Sequence, residues 1–398
     1  MITIPEIAPN VYYTGADDHT TFRFEGLWAL PWGVSYNSYI VSGDRTALID
    51  GVELHKLEEQ IRSIKGLNSK PDYLIVNHME PDHSGSIPGL IDHYPNLRIV
   101  GNAKTIAMIQ GFYHIDEPDR FITVKDGDTL DLGQGLVLKF FLTPMIHWPE
   151  TMMTYLESRE VLFSGDAFGT FGALNGAVED NYIDDPCFYF EEMFRYYAAI
   201  VAKYGRPVQM AMNKLSSLKI SRLCSTHGPV WHKLAGKVIQ AYSDLSTGVT
   251  RKGVVIAYGS MYGNTGMMID IVARRLREKG VESVSVYNLT TAEQSRVLAD
   301  IWRYNGLVLA SPTYNANIFP PVEALIKALE VRELKNRKVG LVGSYAWAQA
   351  ALPLMKARVE GLGLDIAGEV NMKLSPDDDS AAQAVAMADA LAEKVLAD

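Results

Sequence analysis

Apolar residues fall in short bursts over the first 170 or so positions, each burst broken by Gly, Pro or Asp. "NSYIVSG", "RTALIDG", "DYLIVNH", "LRIVGN", "LVLKFFLTP" and "EVLFSGD" read as strands. "HKLEEQIRSIKG" and "KTIAMIQGF", between some of them, carry the spacing of helices. This pattern predicts sheets covered by helices. Several predicted strands run directly into polar clusters: "LIVNHMEPDH", "FLTPMIHWPE", "VLFSGDAFG" and "RLCSTHGPV". Strand ends hold side chains rigidly while the following loops stay open, so ligating groups converge well there.

The pattern changes near "SDLSTGVTRKG", residues 243–253, where polarity rises and a linker is expected. Beyond it, strands such as "GVVIAYGS", "VESVSVYNL", "GLVLASPTY" and "RKVGLVGSYAW" alternate with amphipathic helices such as "TGMMIDIVARRLREKG" and "PPVEALIKALE". Such βαβ units build a doubly wound parallel sheet. Two domains are therefore expected, residues 1–250 and 251–398, as the length of 398 residues also suggests.

Composition narrows the function classes. Hydrophobic residues at 47% and charged residues at 21% are ordinary globular usage. A formal charge of −10 argues against nucleic-acid binding, because no basic stripe exists to neutralise phosphates. Cys187 and Cys224 form no C-x-x-C pair, which argues against a disulfide framework and for a reducing compartment. The opening "MITIPEIAPNVYY" lacks the basic and apolar regions of a signal peptide, and no run of eighteen apolar residues occurs. A soluble, cytoplasmic protein without membrane association is the expectation.

The densest chemistry lies in "IVNHMEPDHSGS", where His78, Glu80, Asp82 and His83 fall within six residues. Read as a loop after a strand, alternation would point His78, Glu80 and Asp82 to one side, with His83 turned beside them. His147, Asp166 and His227 stand at other strand ends, completing four imidazoles and three carboxylates. A set so rich in carboxylate suits iron better than zinc, although intrinsic affinity favours zinc over ferrous iron. His19, His55, His93, His114 and His232 lack such company and read as surface or core residues.

"GSMYGNTG", residues 259–266, follows a predicted strand and opens a helix, the setting of a phosphate-binding loop. Its backbone amides with the hydroxyls of Ser260 and Thr265 suit a phosphate dianion. The loop is neither Walker A nor G-x-G-x-x-G. It resembles the S/T-x-x-G-N-T loop of flavodoxins, which implies FMN held by Ser260, Met261, Tyr262, Gly263, Asn264 and Thr265. Two further strand ends fit that resemblance: Ser311, Pro312, Thr313, Tyr314 and Asn315, then Ser344, Tyr345, Ala346 and Trp347. Tyr314, Tyr345 and Trp347 are the expected neighbours of the flavin ring.

The seven metal-type residues resemble the metallo-β-lactamase pattern over roughly residues 1–245, and its flavodiiron form in particular. Hydrolases of that superfamily usually carry H-x-H-x-D-H, so Glu80 is the departure that points away from hydrolysis. The resemblance implies one iron on His78, Glu80 and His147, a second on Asp82, His83 and His227, and Asp166 as the bridging carboxylate. It further implies electrons passing from an external donor, rubredoxin or a reduced deazaflavin, through FMN to a di-iron site that reduces O2 to water or NO to nitrous oxide. The resemblance also implies a head-to-tail homodimer, or a dimer of dimers, that sets one chain's flavin beside the other's irons. Tyr196 and Tyr197 in "FRYYAAI" are candidates for the pocket wall, with Tyr197 and Asp166 assigned to catalysis. Glu25 stands where many relatives carry a histidine, which puts that histidine's role in doubt here. Two competing readings are a dinuclear zinc hydrolase fused to a flavodoxin-like domain and a pure electron-transfer flavoprotein. Asp166→Asn separates them from the reductase.

Overall fold

The computed structural model describes residues 4–397 and divides into two compact units between Thr247 and Gly248. The first is a two-sheet α/β unit. One sheet runs in the order Glu6–Ala8, Val11–Tyr13, Tyr39–Ser42, Thr46–Ile49, Tyr73–Ile75, Arg98–Gly101 and Phe121–Thr123. Its first strands pair antiparallel and its last four are parallel. The other sheet runs Thr129–Asp131, Val137–Leu142, Met152–Leu156, Val161–Gly165 and Arg222–Ser225, with only the last pair parallel.

The two sheets face each other. Tyr39 of the first packs on Phe163 of the second with ring centroids 5.3 Å apart, and its hydroxyl donates to the Ser225 carbonyl at 2.7 Å. On the first sheet's other side, Ile40, Leu48, Leu74 and Ile99 form a core with Ile61 and Ile64 of helix Leu57–Gly66, Leu90 of Ile87–His93 and Ile109 of Ala103–Tyr113. Near-continuous apolar strands such as "YLI" and "RIVG" read as they do because both faces are covered.

The expected linker is much shorter than its polarity suggests. Helix Ala235–Thr247 absorbs the serines and Asp244, and ends where Gly248 turns left-handed at φ 77°. The next strand already begins at Arg251.

The second unit is a parallel sheet ordered Val284–Asn288, Arg251–Tyr258, Tyr304–Tyr314, Lys338–Tyr345 and Asp365–Lys373. In the unit's own sequence this is the order 2-1-3-4-5, the flavodoxin arrangement, whose switch point lies beyond the carboxyl ends of the central strands. Helices Asn264–Glu278 and Asp378–Ala397 are tied by Arg275, which donates to both carboxylate oxygens of Asp389 at 2.6 and 2.9 Å. Among the described residues no helix is long and apolar enough to cross a membrane.

Candidate metal centre and flavin cleft

Strand Tyr73–Ile75 delivers the main motif, and a buried network fixes where it ends. The Asn77 backbone amide and side-chain NH2 donate to the two oxygens of Asp50 at 2.7 and 2.9 Å, while the Thr154 hydroxyl donates to Asn77 Oδ1 at 2.7 Å. His78 and Glu80 follow outside any strand or helix. Asp82 and His83 lie in a helical turn instead, which corrects the alternating reading. Pro81 starts a short helix, Pro81–Ser84, closed by His83 and Ser84 amides donating to the Glu80 carbonyl. The Ser84 hydroxyl also returns to the Met79 carbonyl at 2.8 Å. Proline's preset φ favours this first helical position. The turn aims Asp82 and His83 toward a place different from that of His78 and Glu80.

The three distant residues arrive there. One group of mutually close donor atoms comprises His78, Glu80, His147 and Asp166, and another comprises Asp82, His83 and His227. Asp166 lies between them. Its Oδ2 is 3.2 Å from His147 Nε2 and 3.4 Å from His78 Nε2, whereas its Oδ1 is 3.1 Å from His83 Nε2. Asp166 is held in that pose by Thr226, whose hydroxyl donates to Oδ1 at 2.5 Å.

Outer partners set the imidazole tautomers. His78 Nδ1 donates to Glu150 at 2.9 Å, and that same carboxylate oxygen accepts from the Met79 amide at 2.9 Å. His227 Nδ1 donates to the Ser35 carbonyl at 2.7 Å. Each leaves Nε2 with a lone pair facing the cluster, as a metal ligand requires.

These residues fit a pair of cations. Both oxygens of Asp82 and the Nε2 atoms of His83 and His227 are buried without a hydrogen-bond partner, although Asp82 Oδ2 is only 3.2–3.3 Å from the two nitrogens. Groups so close yet not directed at one another converge on a shared centre. The charges agree. Burial alone would lower the imidazoles, but Asp82 and Asp166 push His83 up to about 9, and Asp166 and Glu80 push His147 up to about 9. The three carboxylates thus demand positive charge inside a dry site, which metal ions supply in place of protons.

The tyrosine assignment changes. Adjacent helical residues point about 100° apart, so only one of the pair can face the cluster. It is Tyr196, whose ring lies 5.6 Å from that of His227 and whose phenol is driven well above its usual range by burial and by Asp166, Glu80 and Asp82. Tyr197 begins a π-helical turn, Tyr197–Val201, and packs edge-on against Tyr242 with centroids 5.0 Å apart. Glu25 lies in the short hairpin of Arg23–Phe24 and Trp28–Ala29, where Trp28 Nε1 donates to it at 3.1 Å. Partial burial and the neighbouring Glu80 carboxylate push it up to about 7. The sequence reading missed Glu150, although "HWPE" places an acid three residues past His147. It also treated His55 as lacking company, whereas His55 Nε2 lies 2.8 Å from buried Asp18.

In the second unit a cleft of about 570 Å³ opens beyond the carboxyl ends of the central strands. Ser260, Met261, Tyr262, Asn264 and Thr265 line it, with Pro312, Thr313, Asn315, Ser344, Tyr345, Ala346 and Trp347. Its size suits a mononucleotide cofactor. Thr265 Oγ1 and Ser344 Oγ sit 3.0 Å apart at the start of helix Asn264–Glu278, where free amides favour a phosphate. Tyr262 and Trp347, 91% and 92% exposed, leave two aromatic faces free beside the cleft, as a planar ring needs. The residues fit FMN.

Three expected residues stand outside the lining. Gly263 shapes the loop through φ 94°, donating its amide to Ser260 Oγ at 3.1 Å. Ser311 is buried and accepts from the Phe319 amide at 2.9 Å. Tyr314 turns away because Asn315 and Ala316, both left-handed, fold a tight hairpin that packs its ring on Phe319. Ala316, Ala348, Leu374 and Ser375 line the cleft unforeseen. Leu374 and Ser375 follow the last strand of the sheet, so the rule on carboxyl ends pointed to them.

Fold and site together define a two-domain protein that joins a dinuclear metal centre to a flavin-binding sheet. Residues 34–228 match the family described as ODP family beta lactamase, and residues 256–387 match the flavodoxin family. The chain is 30% identical over 380 residues to the anaerobic nitric oxide reductase flavorubredoxin of Enterobacter sp. (strain 638), covering 93% of this chain and 78% of the relative. The corresponding protein of Vibrio vulnificus is 31% identical over 377 residues, covering 92% and 75%. Among solved structures, rubredoxin oxygen:oxidoreductase from Desulfovibrio gigas superposes with a TM-score of 0.94 at 26% identity over 99% of both chains. The flavodiiron protein from Giardia intestinalis superposes with 0.95 at 26% identity, covering 100% of this chain and 98% of that one. The chain belongs to the flavodiiron protein family, oxidoreductases whose cofactors are FMN and a non-haem di-iron centre.

Proposed function

We propose that this chain is a cytoplasmic reductase of O2, NO or both, drawing electrons through FMN from an external donor. The observation that carries it is the posture of Asp166, whose two oxygens face two separate imidazole groups. In this reading His78, Glu80 and His147 would hold one iron and Asp82, His83 and His227 the other, with Asp166 offering an oxygen to each group. When bound, the irons supply two adjacent electrons and open positions for a diatomic ligand, and the flavin relays electrons to them.

The chain's own residues do the rest. Glu150 and the Ser35 carbonyl orient His78 and His227. Phe24 and Tyr196 wall the His227 side with apolar ring surface, Phe24 edge-on at 5.1 Å, and so exclude bulk water. Tyr196, rather than Tyr197, is the phenol placed to hold a proton near bound substrate. In the flavin unit, Thr265, Ser344 and the helix amides take the phosphate, while Tyr262, Tyr345 and Trp347 border the ring. The names of relatives, a rubredoxin oxygen:oxidoreductase and flavorubredoxins, make rubredoxin the favoured donor, with a reduced deazaflavin as the alternative. A head-to-tail homodimer or dimer of dimers is part of the proposal, and the exposed apolar rim of Met261, Tyr262 and Trp347 supplies surface for it.

The test is metal and flavin content after anaerobic purification from iron-supplemented cells, followed by paired O2 and NO turnover with reduced rubredoxin. About two irons and one FMN per chain, with turnover of either gas, are expected from this donor set. Two persistent zincs, with no turnover after iron exchange, would favour the zinc hydrolase reading instead.

A further inference from the structure

The last strand of the second sheet, Asp365–Lys373, runs beside Lys338–Tyr345 to its final residue, where Lys373 pairs with Tyr345. Met372 on this strand is fully buried in the core formed with helices Asn264–Glu278 and Asp378–Ala397. Alternation along a strand would send Leu374, two residues on, to the same face and into the same core. It does not go there. The Leu374 amide donates to the Tyr345 carbonyl at 2.8 Å, and its backbone turns left-handed at φ 65°. The turn brings Leu374 to the wall of the flavin cleft, 59% exposed, with Ser375 beside it.

Two costs meet at this position. A left-handed leucine crowds its Cβ against the following carbonyl, where glycine would fit without strain, and an exposed leucine keeps apolar surface in water. Of the non-glycine residues of this unit with left-handed backbone, Asn315 and Ala316 line the same cleft, whereas Glu333 and Asn336 lie outside its lining. Strain of this kind gathers where a ligand is met. The wall next to Leu374 is Tyr345, Ala346, Trp347 and Ala348, while the hydroxyls of Thr265 and Ser344 mark the phosphate end. We propose that Leu374 packs on the flavin ring system as a fourth wall of the cleft, beyond the loops after the unit's first, third and fourth strands, and that its left-handed backbone is kept for this contact. This rests on the reading of the cleft as the FMN site. Flavin binding covers the leucine and recovers the apolar surface that the turn leaves in water.

The test uses the full, iron-loaded chain freed of FMN, as wild type and with Leu374→Gly, Leu374→Ala and Leu374→Met. Titration with FMN and with riboflavin, followed by flavin fluorescence, should show both ligands bound about fivefold to tenfold more weakly by the Gly and Ala variants. Met, apolar and of similar volume, should restore wild-type binding. The backbone is read separately. In the flavin-free chain the flavin unit of Leu374→Gly should unfold about 2–4 °C above that of Leu374→Ala, since both lack the large side chain and only glycine relieves the turn. Wild-type affinity in the folded Gly and Ala variants would overturn the contact. A loss confined to FMN would place Leu374 at the phosphate and overturn the ring assignment, and a Gly variant no more stable than the Ala variant would overturn the strain. A wild-type chain that takes up neither flavin would overturn the reading of the cleft itself, and the unfolding comparison would still decide the strain.

Discussion

The metal cluster and the flavin cleft are both built at strand ends, but they are held in opposite ways. Around the metals, ligands are buried and some have a rigid support: Asp50 fixes Asn77 before His78, Glu150 fixes His78, and Thr226 fixes Asp166. Around the flavin, supports are loops, Tyr262 and Trp347 are nearly fully exposed, and the cleft faces solvent. A cation concentrates charge at a point and requires donors placed within tenths of an ångström. A flavin spreads its binding over a wide apolar plane and one phosphate, so individual residues matter less. Substitutions in the first region should therefore act steeply and those in the second gradually.

The largest effect expected is that of Asp166→Asn. An amide presents only one anion-free oxygen to the metals, and the site loses the charge that links its halves. Iron content and gas turnover should fall by at least about a hundredfold, beyond what outer-partner changes produce, while FMN content and flavin reduction by the donor stay normal. Metal analysis beside flavin absorbance checks both. Loss of FMN together with iron would break the separation between the regions.

Glu150→Gln comes next. The amide keeps the shape and can still accept from the Met79 amide, but no longer charges the His78 ring. Iron affinity should drop about 10- to 100-fold, measured by competition with a chelator. Glu150→Gln with unaltered affinity would mean that strand geometry alone orients His78.

These two residues also show what the sequence discloses. Asp166 and the six other metal-type residues were legible because strand ends carry their own signature, an apolar run followed by His or Asp. Glu150 was not, since nothing in "HWPE" says which imidazole, 72 positions away, it will meet. The choice between Tyr196 and Tyr197 was illegible for a different reason. Helical phase depends on where the helix starts, and the π turn that follows shifts it again. In the flavin unit the three loops could be read from strand, loop and helix order. Tyr314 could not, because its direction is set by a left-handed pair at Asn315 and Ala316, where Ala gives no hint of that conformation.

On the flavin side, Trp347→Ala tests the gradual response. An exposed indole stacked on one face contributes about 1 kcal/mol beyond area, or about a fivefold change in FMN affinity. Fluorescence titration of flavin-free protein measures it, and iron content should not move. A loss of a hundredfold or more would make the cleft as steep as the metal site and remove the contrast.

The smallest effect belongs to Arg275 and Asp389, the bidentate pair that ties two helices of the flavin unit. Hydrogen bonding from Arg275 lowers Asp389 below its ordinary value of 3.8, so the pair stabilises fully above that value and loses its contribution as pH falls below it, through the lowered value of the folded state. Both side chains are about a third exposed, and solvent screens them. Asp389→Asn should therefore lower the unfolding temperature of the flavin unit only slightly at neutral pH. The difference from wild type should shrink once pH falls below the ordinary value of 3.8, vanish below the lowered folded-state value, and weaken in high salt. Calorimetry that also resolves the metal unit should show its transition unchanged, because both residues of the pair lie on helices of the flavin unit. A shift in both transitions would mean that the two units unfold as one, and the contrast between their sites would then be one of local geometry without independent stability.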